Sequence, residues 1–222
     1  MNPDETILTL FHGSPVVVRE PSPEKGREHN DYGRGFYCTE SETLAMEWAC
    51  TEGADGWANR YELRTDGLRM LSLSSPAYSI LHWMALLVRH RDIRLHAPVM
   101  RRGADWLLAN YAIDLAPWDV VVGWRADDSY FSFARSFLAN TITVAQLERA
   151  MKLGKLGEQV VLKSAKAFAA LRFVSAEPAP WETWYAKRRR RDLDARAAFE
   201  ADEARGDPGG LTIRDLMEGT AR

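Results

Sequence analysis

The chain has 222 residues, a formal net charge of −2, 46% hydrophobic residues and 10% aromatic residues. Those values exclude a disordered chain, and they exclude a global attraction to nucleic acid or an anionic membrane, so a polyanion must meet a local patch. Two cysteines, Cys38 and Cys50, make neither a disulfide framework nor a zinc ligand set.

Reading along the chain, Ile7 to Phe11 is an apolar run that ends at His12-Gly13-Ser14. After "PVVV" comes a polar, proline-bearing loop from Arg19 to Asn30, and Phe36 to Thr39 follows as a short strand. Ser41 can cap a helix to Cys50, with Leu44, Met46, Trp48 and Ala49 as its apolar side. "NRYEL" from Asn59 alternates like a strand, and Ser79 to Arg89 carries Ile80, Leu81, Trp83, Met84, Leu87 and Val88 at helical spacing. "WDVVVGW", Trp118 to Trp124, is a buried strand by its β-branched run. Phe131 to Leu138 and Thr143 to Met151 are predicted helices, the second with a capping box from Thr143 and Gln146. "EQVVLKS" predicts a strand, "SAKAFAALRF" a helix starting at Ser164, and Phe173 to Ser175 a last short strand.

Beyond Pro178 and Pro180 the character changes. A charged, helix-prone segment headed by Trp181, Trp184 and Tyr185 runs to the breaker "GDPGG", and "LTIRDLMEGTAR" follows. The expected fold class is therefore α+β, with a body over 1–178 and a helical extension over 179–222. Trp181 and Trp184 are expected to dock, because leaving them in water is costly. Lys187 to Arg205 lacks a wide apolar stripe and is expected to lie on the surface or reach toward a partner. Leu211, Ile213, Leu216 and Met217 form a small apolar patch that calls for a cover, such as a second chain or copy. On this reading residues 181–222 are separable from the chemistry. "KRRRRD", Lys187 to Asp192, can touch nucleic acid or an acidic partner, but the acidic residues after it favour a solvated helix.

The chemistry-bearing stretch pairs "FHGS" with "NDYGRGFYCTE". At a strand end, Gly13 lets a planar ligand lie against the backbone, whose N–H and C=O pair with a carboxamide. His12 can donate to a ribose hydroxyl, and Tyr37 can stack on an aromatic ring. Arg34 can fork onto a pyrophosphate. Asp127 and Asp128 can supply a general base for an acceptor, or cap the helix after them. The bland alternative is a turn feeding an edge strand, with His12 a satisfied strand-end residue. His82, His90 and His96 lack metal spacing, so no metal is expected.

"FHGS" followed by "YGRGFYCTES" resembles the core of poly(ADP-ribose) polymerase-type ADP-ribosyltransferases, where a His-Gly-Ser/Thr strand precedes a "FGKGIYFA" segment and a helix. More of the chain is similar to a bacterial family of uncharacterised ADP-ribosyltransferase-like proteins. That family's "YHGS", "DFGKGFYLT", "AxxWA", "YDVVIGxxANDxxF" and "QIxFxTxKAL" stand here as "FHGS", "DYGRGFYCT", "AMEWA", "WDVVVGWRADDSYF" and "QVVLKSAKAF", in the same order over residues 8 to about 175.

The resemblance implies a split β-sandwich with flanking helices and NAD as co-substrate. It implies that His12 and Ser14 lie at the ribose strand, that Gly13 holds the carboxamide, and that Tyr37 and Trp48 sandwich the nicotinamide ring. It matches Asp128 to the family aspartate. The third catalytic position falls at Glu158 or Gln159: the bacterial family points to Gln159, a carboxylate argument to Glu158, and strand alternation lets only one face the cleft. The implied activity is mono-ADP-ribosyl transfer to a protein, nucleic acid or small-molecule acceptor, in a toxin with a small antitoxin partner. A catalytically weak NAD-binding module and an NAD glycohydrolase remain alternatives. A cytoplasmic protein without a leader or membrane span is expected.

Overall fold

The computed structural model describes residues 6–126, 128–153 and 157–219. The first strand, β1 (Ile7–Ser14), runs antiparallel to β3 (Gly56–Arg64), which pairs on its other edge with β7 (Leu171–Ala179). A second sheet has the order β2 (Phe36–Cys38), β6 (Glu158–Leu162), β5 (Val120–Trp124) and β4 (Met70–Ser72), antiparallel except for β4 beside β5. Leu10, Tyr61 and Leu63 of the first sheet share one apolar cluster with Phe36, Cys38, Val120, Val160 and Leu162 of the second, so the sheets face each other. Phe11 and Thr39 exchange both backbone hydrogen bonds, at 2.7 and 2.9 Å, and tie the outer edge of β1 to the chain just after β2. The protein is α+β.

Helix α1 (Glu42–Ala49) starts where the Ser41 hydroxyl accepts the Leu44 N–H at 3.3 Å. It packs directly on β1, because Gly13 has no side chain to hold it off: a Cβ there would meet the Ala45 carbonyl and lie 2.7 Å from the Ala49 nitrogen. Helix α2 (Ile80–His90) is buried along most of its length, and Trp83, Met84 and Leu87 anchor the larger core. Around it lie α3 (Pro98–Tyr111), α4 (Asp128–Leu138) and α5 (Val144–Ala150), the last with the expected Thr143–Gln146 capping box. Neither α3 nor β4 was expected. The buried Met100, Gly103, Ala104 and Leu107 of α3 are interleaved with Arg101, Arg102 and Asp105, and β4 is only three residues long.

Helix α6 (Ala165–Ala169) ends earlier than the sequence suggests, and β7 is nine residues long rather than three. The long edge of β3 decides this: Leu171 pairs with Leu63, and the pairing continues to Ala179 opposite Gly56. Pro178 is tolerated because β7 is an edge strand.

The C-terminal segment forms α7 (Trp181–Arg205) and α8 (Ile213–Glu218). Trp181, Trp184 and Tyr185 pack against a cluster of Phe11, Ala45, Met46, Ala49 and Ala179. The expectation that the rest of α7 is purely a surface element is corrected. Ala195 and Phe199, four residues apart and hence on one face, are buried, and the Phe199 ring stacks on Phe133 with centroids 4.1 Å apart. Most of the tail's apolar patch is likewise covered from within: Ile213 is fully buried beside Gly103 and Leu138, and Leu216 and Met217 pack on the same core, while Leu211 stays exposed. A stripe of two residues suffices here because Arg191 also pairs with Glu47 of α1, its Nε 3.0 Å from Oε2, with both side chains largely buried.

Candidate functional site

A cavity of about 660 Å³ opens where the outer edge of β1, the loop before β2, α1 and the end of β5 meet. His12, Gly13, Ser14, Tyr37, Trp48 and Gln159 all line it. The sequence-predicted residues from four separate elements thus converge on one space.

The backbone of β1 sets the geometry. Phe11 turns its N–H and C=O away from β3 toward Thr39, and strand alternation gives Gly13 the same orientation. The Gly13 N–H and C=O therefore lie on the open edge of β1, beside the cavity. The glycine is required for a second reason that the sequence did not disclose, the close approach of α1. Ser14 is partly committed: its hydroxyl donates to the Val16 carbonyl at 2.5 Å and accepts the Val16 N–H at 3.1 Å.

His12 Nδ1 lies 2.7 Å from the Tyr37 carbonyl oxygen. A carbonyl only accepts, so Nδ1 carries the proton. Burial lowers the pKa of His12, the Tyr37 carbonyl opposes that shift, and Arg125 adds to it. The ring is thus neutral, and Nε2 is an acceptor rather than the donor expected from sequence.

Tyr37 is locked at its tip: its hydroxyl donates to the Gly33 carbonyl at 2.6 Å and accepts the Tyr32 N–H at 3.0 Å. Burial raises its pKa, so it stays a neutral phenol. Gly33 holds this turn with φ +71°, and a Cβ there would press on the His90 ring. Lys163 braces the same turn by donating to the Tyr32 and Arg34 carbonyls, each at 2.6 Å. Trp48 carries the Arg125 guanidinium over one face, 3.6 Å from the ring centroid, and its indole N–H is buried with no hydrogen-bond partner among the described residues.

At the third position the alternation of β6 places Gln159 against the cavity, 2% exposed. Glu158 is exposed, lines no part of the cavity, and accepts a hydrogen bond from Ser74. Arg34 also stays outside, in an exposed pair with Glu28. The cations that line the space are instead Lys25, Arg27, Arg91, Arg125 and Arg188. Arg188 belongs to α7, so the extension is not separate from the site as the sequence reading had it. Asp127 lies outside the described residues, and Asp128 is described only as the first residue of α4. Asp31 was missed. It is 5% exposed and lines the cavity, and its sequence signals were its place ahead of the glycine turn and its match to the first residue of the family's "DFGKGFYLT". Among the described residues no cluster of three or more His, Cys, Asp or Glu can hold a metal ion, and no helix is long and apolar enough to cross a membrane.

A family model described as "Protein of unknown function (DUF3990)" matches residues 8–173. The chain belongs to this family. The DUF3990 match takes in His12, Gly13, Tyr37, Trp48 and Gln159, and it stops before α7, so Arg188 lies outside it. No curated protein and no solved structure matches the chain.

Proposed function

We propose that this DUF3990 protein is an NAD-dependent mono-ADP-ribosyltransferase, built on the split β-sandwich of that superfamily and acting as the toxin of a bacterial toxin–antitoxin or phage-defence pair. The observation that carries the reading is the convergence of His12, Gly13, Tyr37, Trp48 and Gln159 on one cavity whose rim holds five cations. The open edge of β1 at Gly13 fits a carboxamide, which needs one acceptor and one donor side by side. Tyr37 and Trp48 offer ring faces to nicotinamide, and a ligand acceptor would also satisfy the buried indole N–H, an unmade bond that costs about 1–3 kcal/mol. His12 Nε2 accepts a ribose hydroxyl, and the basic lining suits a pyrophosphate.

In the reaction the bond from the ribose C1′ to the nicotinamide nitrogen breaks, and its electron pair stays with the ring, which leaves neutral. A nucleophile of the acceptor then bonds to C1′ and gives up a proton. Positive charge develops on the ribose, so the site acts by positioning and electrostatics. The protein works in the cytoplasm with a small antitoxin as partner and a macromolecular acceptor. A non-transferring NAD-binding module is favoured by one observation, the neutral amide at position 159.

Incubation with NAD labelled in its adenylate and a cell lysate, followed by protease or nuclease, tests the reading. Label bound to protein or nucleic acid supports transfer. Free labelled ADP-ribose as the only product marks a glycohydrolase, and bound NAD without nicotinamide release marks the binding module.

A further inference from the structure

Position 159 holds a neutral amide, the residue to which the bacterial resemblance points, and a carboxylate stands directly behind it. Asp31 Oδ2 accepts the Gln159 Nε2–H at 2.9 Å and the Ala126 N–H at 2.9 Å. Gln159 Nε2 also donates to the Trp124 carbonyl at 3.1 Å. Both amide hydrogens of Gln159 are thus directed into the protein, which leaves Oε1 as the group it can present to the cavity. The Trp124 carbonyl already accepts the Tyr32 hydroxyl at 2.7 Å and the Trp83 indole N–H at 3.1 Å. A carbonyl has two lone pairs, so Asp31 is the stronger hold on the amide.

Among the described residues, four charged or titratable groups act on Asp31 or lie near it: Arg91, Arg125, Tyr32 and Tyr37. Arg91 Nε lies 3.7 Å from Oδ1, reached from α2, and the Arg91 guanidinium rests over the Phe131 ring of α4. Arg125 after β5 acts from further off, and the Tyr32 and Tyr37 phenols lie nearby. The carboxylate sits in a largely buried wall of the cavity, and among the described residues Oδ1 is engaged by the Arg91 ion pair. Burial is the largest influence on its titration and raises its pKa.

We propose that Asp31 is the carboxylate of the reaction centre: as a positioning residue it fixes the Gln159 amide with Oε1 toward the donor ribose, and it supplies the negative charge that position 159 lacks. This rests on the NAD reading. Charge delivered through a hydrogen-bonded amide in a largely buried wall stabilises a developing ribose cation without placing a nucleophile against C1′. The function requires ionised Asp31, so activity falls as pH drops through its raised pKa, and the acid limb lies above the ordinary carboxylate range.

The test measures nicotinamide release, NAD affinity and Tm for wild type, Asp31→Asn, Gln159→Glu and the double exchange D31N/Q159E. Asp31→Asn should lower kcat by roughly 10²–10³-fold, change NAD affinity by only about threefold, and remove the acid limb. Gln159→Glu alone should also be impaired, because two buried carboxylates in contact cannot both ionise. The exchange restores one carboxylate and one amide, and should recover about tenfold or more over either single variant. Wild-type kcat in a folded Asp31→Asn protein overturns the assignment. So does an exchange variant no better than Gln159→Glu, which decides the matter even where Asp31→Asn does not fold. Wild-type protein that neither binds nor cleaves NAD overturns the NAD reading, and this assignment with it.

Discussion

The two walls of the cavity differ in how they are built. One wall is local: His12, Gly13, Tyr37 and Trp48 come from two short segments and are held by bonds within or between those segments, such as His12 to the Tyr37 carbonyl. The other is assembled from distant parts, with Arg91 ending α2, Arg125 following β5 and Arg188 on α7. The local wall offers ring faces and backbone edges; the distant wall supplies three of the five lining cations, beside Lys25 and Arg27 of the loop before β2. On the NAD reading, contacts to the flat nicotinamide ring and to the pyrophosphate are thus largely separated, and Arg188 lies outside the family-matched span.

The largest effect expected is on the support of the distant wall. Phe199→Ala removes the ring stacked on Phe133 and should cost about 3–5 kcal/mol in denaturant unfolding. A loss below ~1 kcal/mol would show that α7 is loosely attached and that Arg188 is not held at the cavity.

Gly13→Ala probes the local wall through packing. The new Cβ meets the backbone of α1, which cannot swing aside like a side chain, so about 1–3 kcal/mol of stability should be lost. An unchanged Tm would mean that β1 and α1 do not approach this closely.

Arg188→Ala should weaken NAD binding by about tenfold, equivalent to ~1.4 kcal/mol, with a reduced salt dependence and little change in Tm. Unaltered affinity would confine the ligand to the family-matched body. His12 gives a pH signature. Burial lowers its folded pKa below 6.5, so as pH falls through 6.5 the unfolded chain binds the proton first. Its contribution to stability is complete above that value and is lost toward the lowered pKa. The Tm should therefore fall on going from about pH 7 to about pH 5, and fall less in His12→Gln. The smallest effect belongs to Glu158→Gln, within about 0.5 kcal/mol of wild type in stability and with activity unchanged, since this side chain faces Ser74 and solvent.

What could be read from the sequence follows the same division. Strong periodicity and capping residues gave α1, α2 and α5, and the β-branched run gave β5. The β7 span and the end of α6 were misplaced because the β3 edge, over a hundred residues earlier in the chain, sets them. His12, Tyr37 and Trp48 were legible because the features that expose them are local: a glycine, a turn and a helical offset. Asp31 matched the first residue of a family motif but had no assignable role, since an aspartate before a glycine turn looks like an ordinary surface group, as does Arg188 in a run of five basic residues. Only the fold brings Asp31 to Gln159 across 128 positions of sequence. The α7 stripe was missed for a related reason. Two apolar residues four apart are a weak pattern, and the Arg191–Glu47 pair that completes the docking needs both partners in place.

The most direct test of the central claim is nicotinamide release from NAD by the wild-type protein, set against the His12→Ala/Tyr37→Ala double variant. Losing a ribose bond and a ring stack should cost on the order of 1–3 kcal/mol each, so the account predicts release by the wild type and a drop of about tenfold or more in the folded double variant. Equal release by both proteins, or none by the wild type, contradicts it.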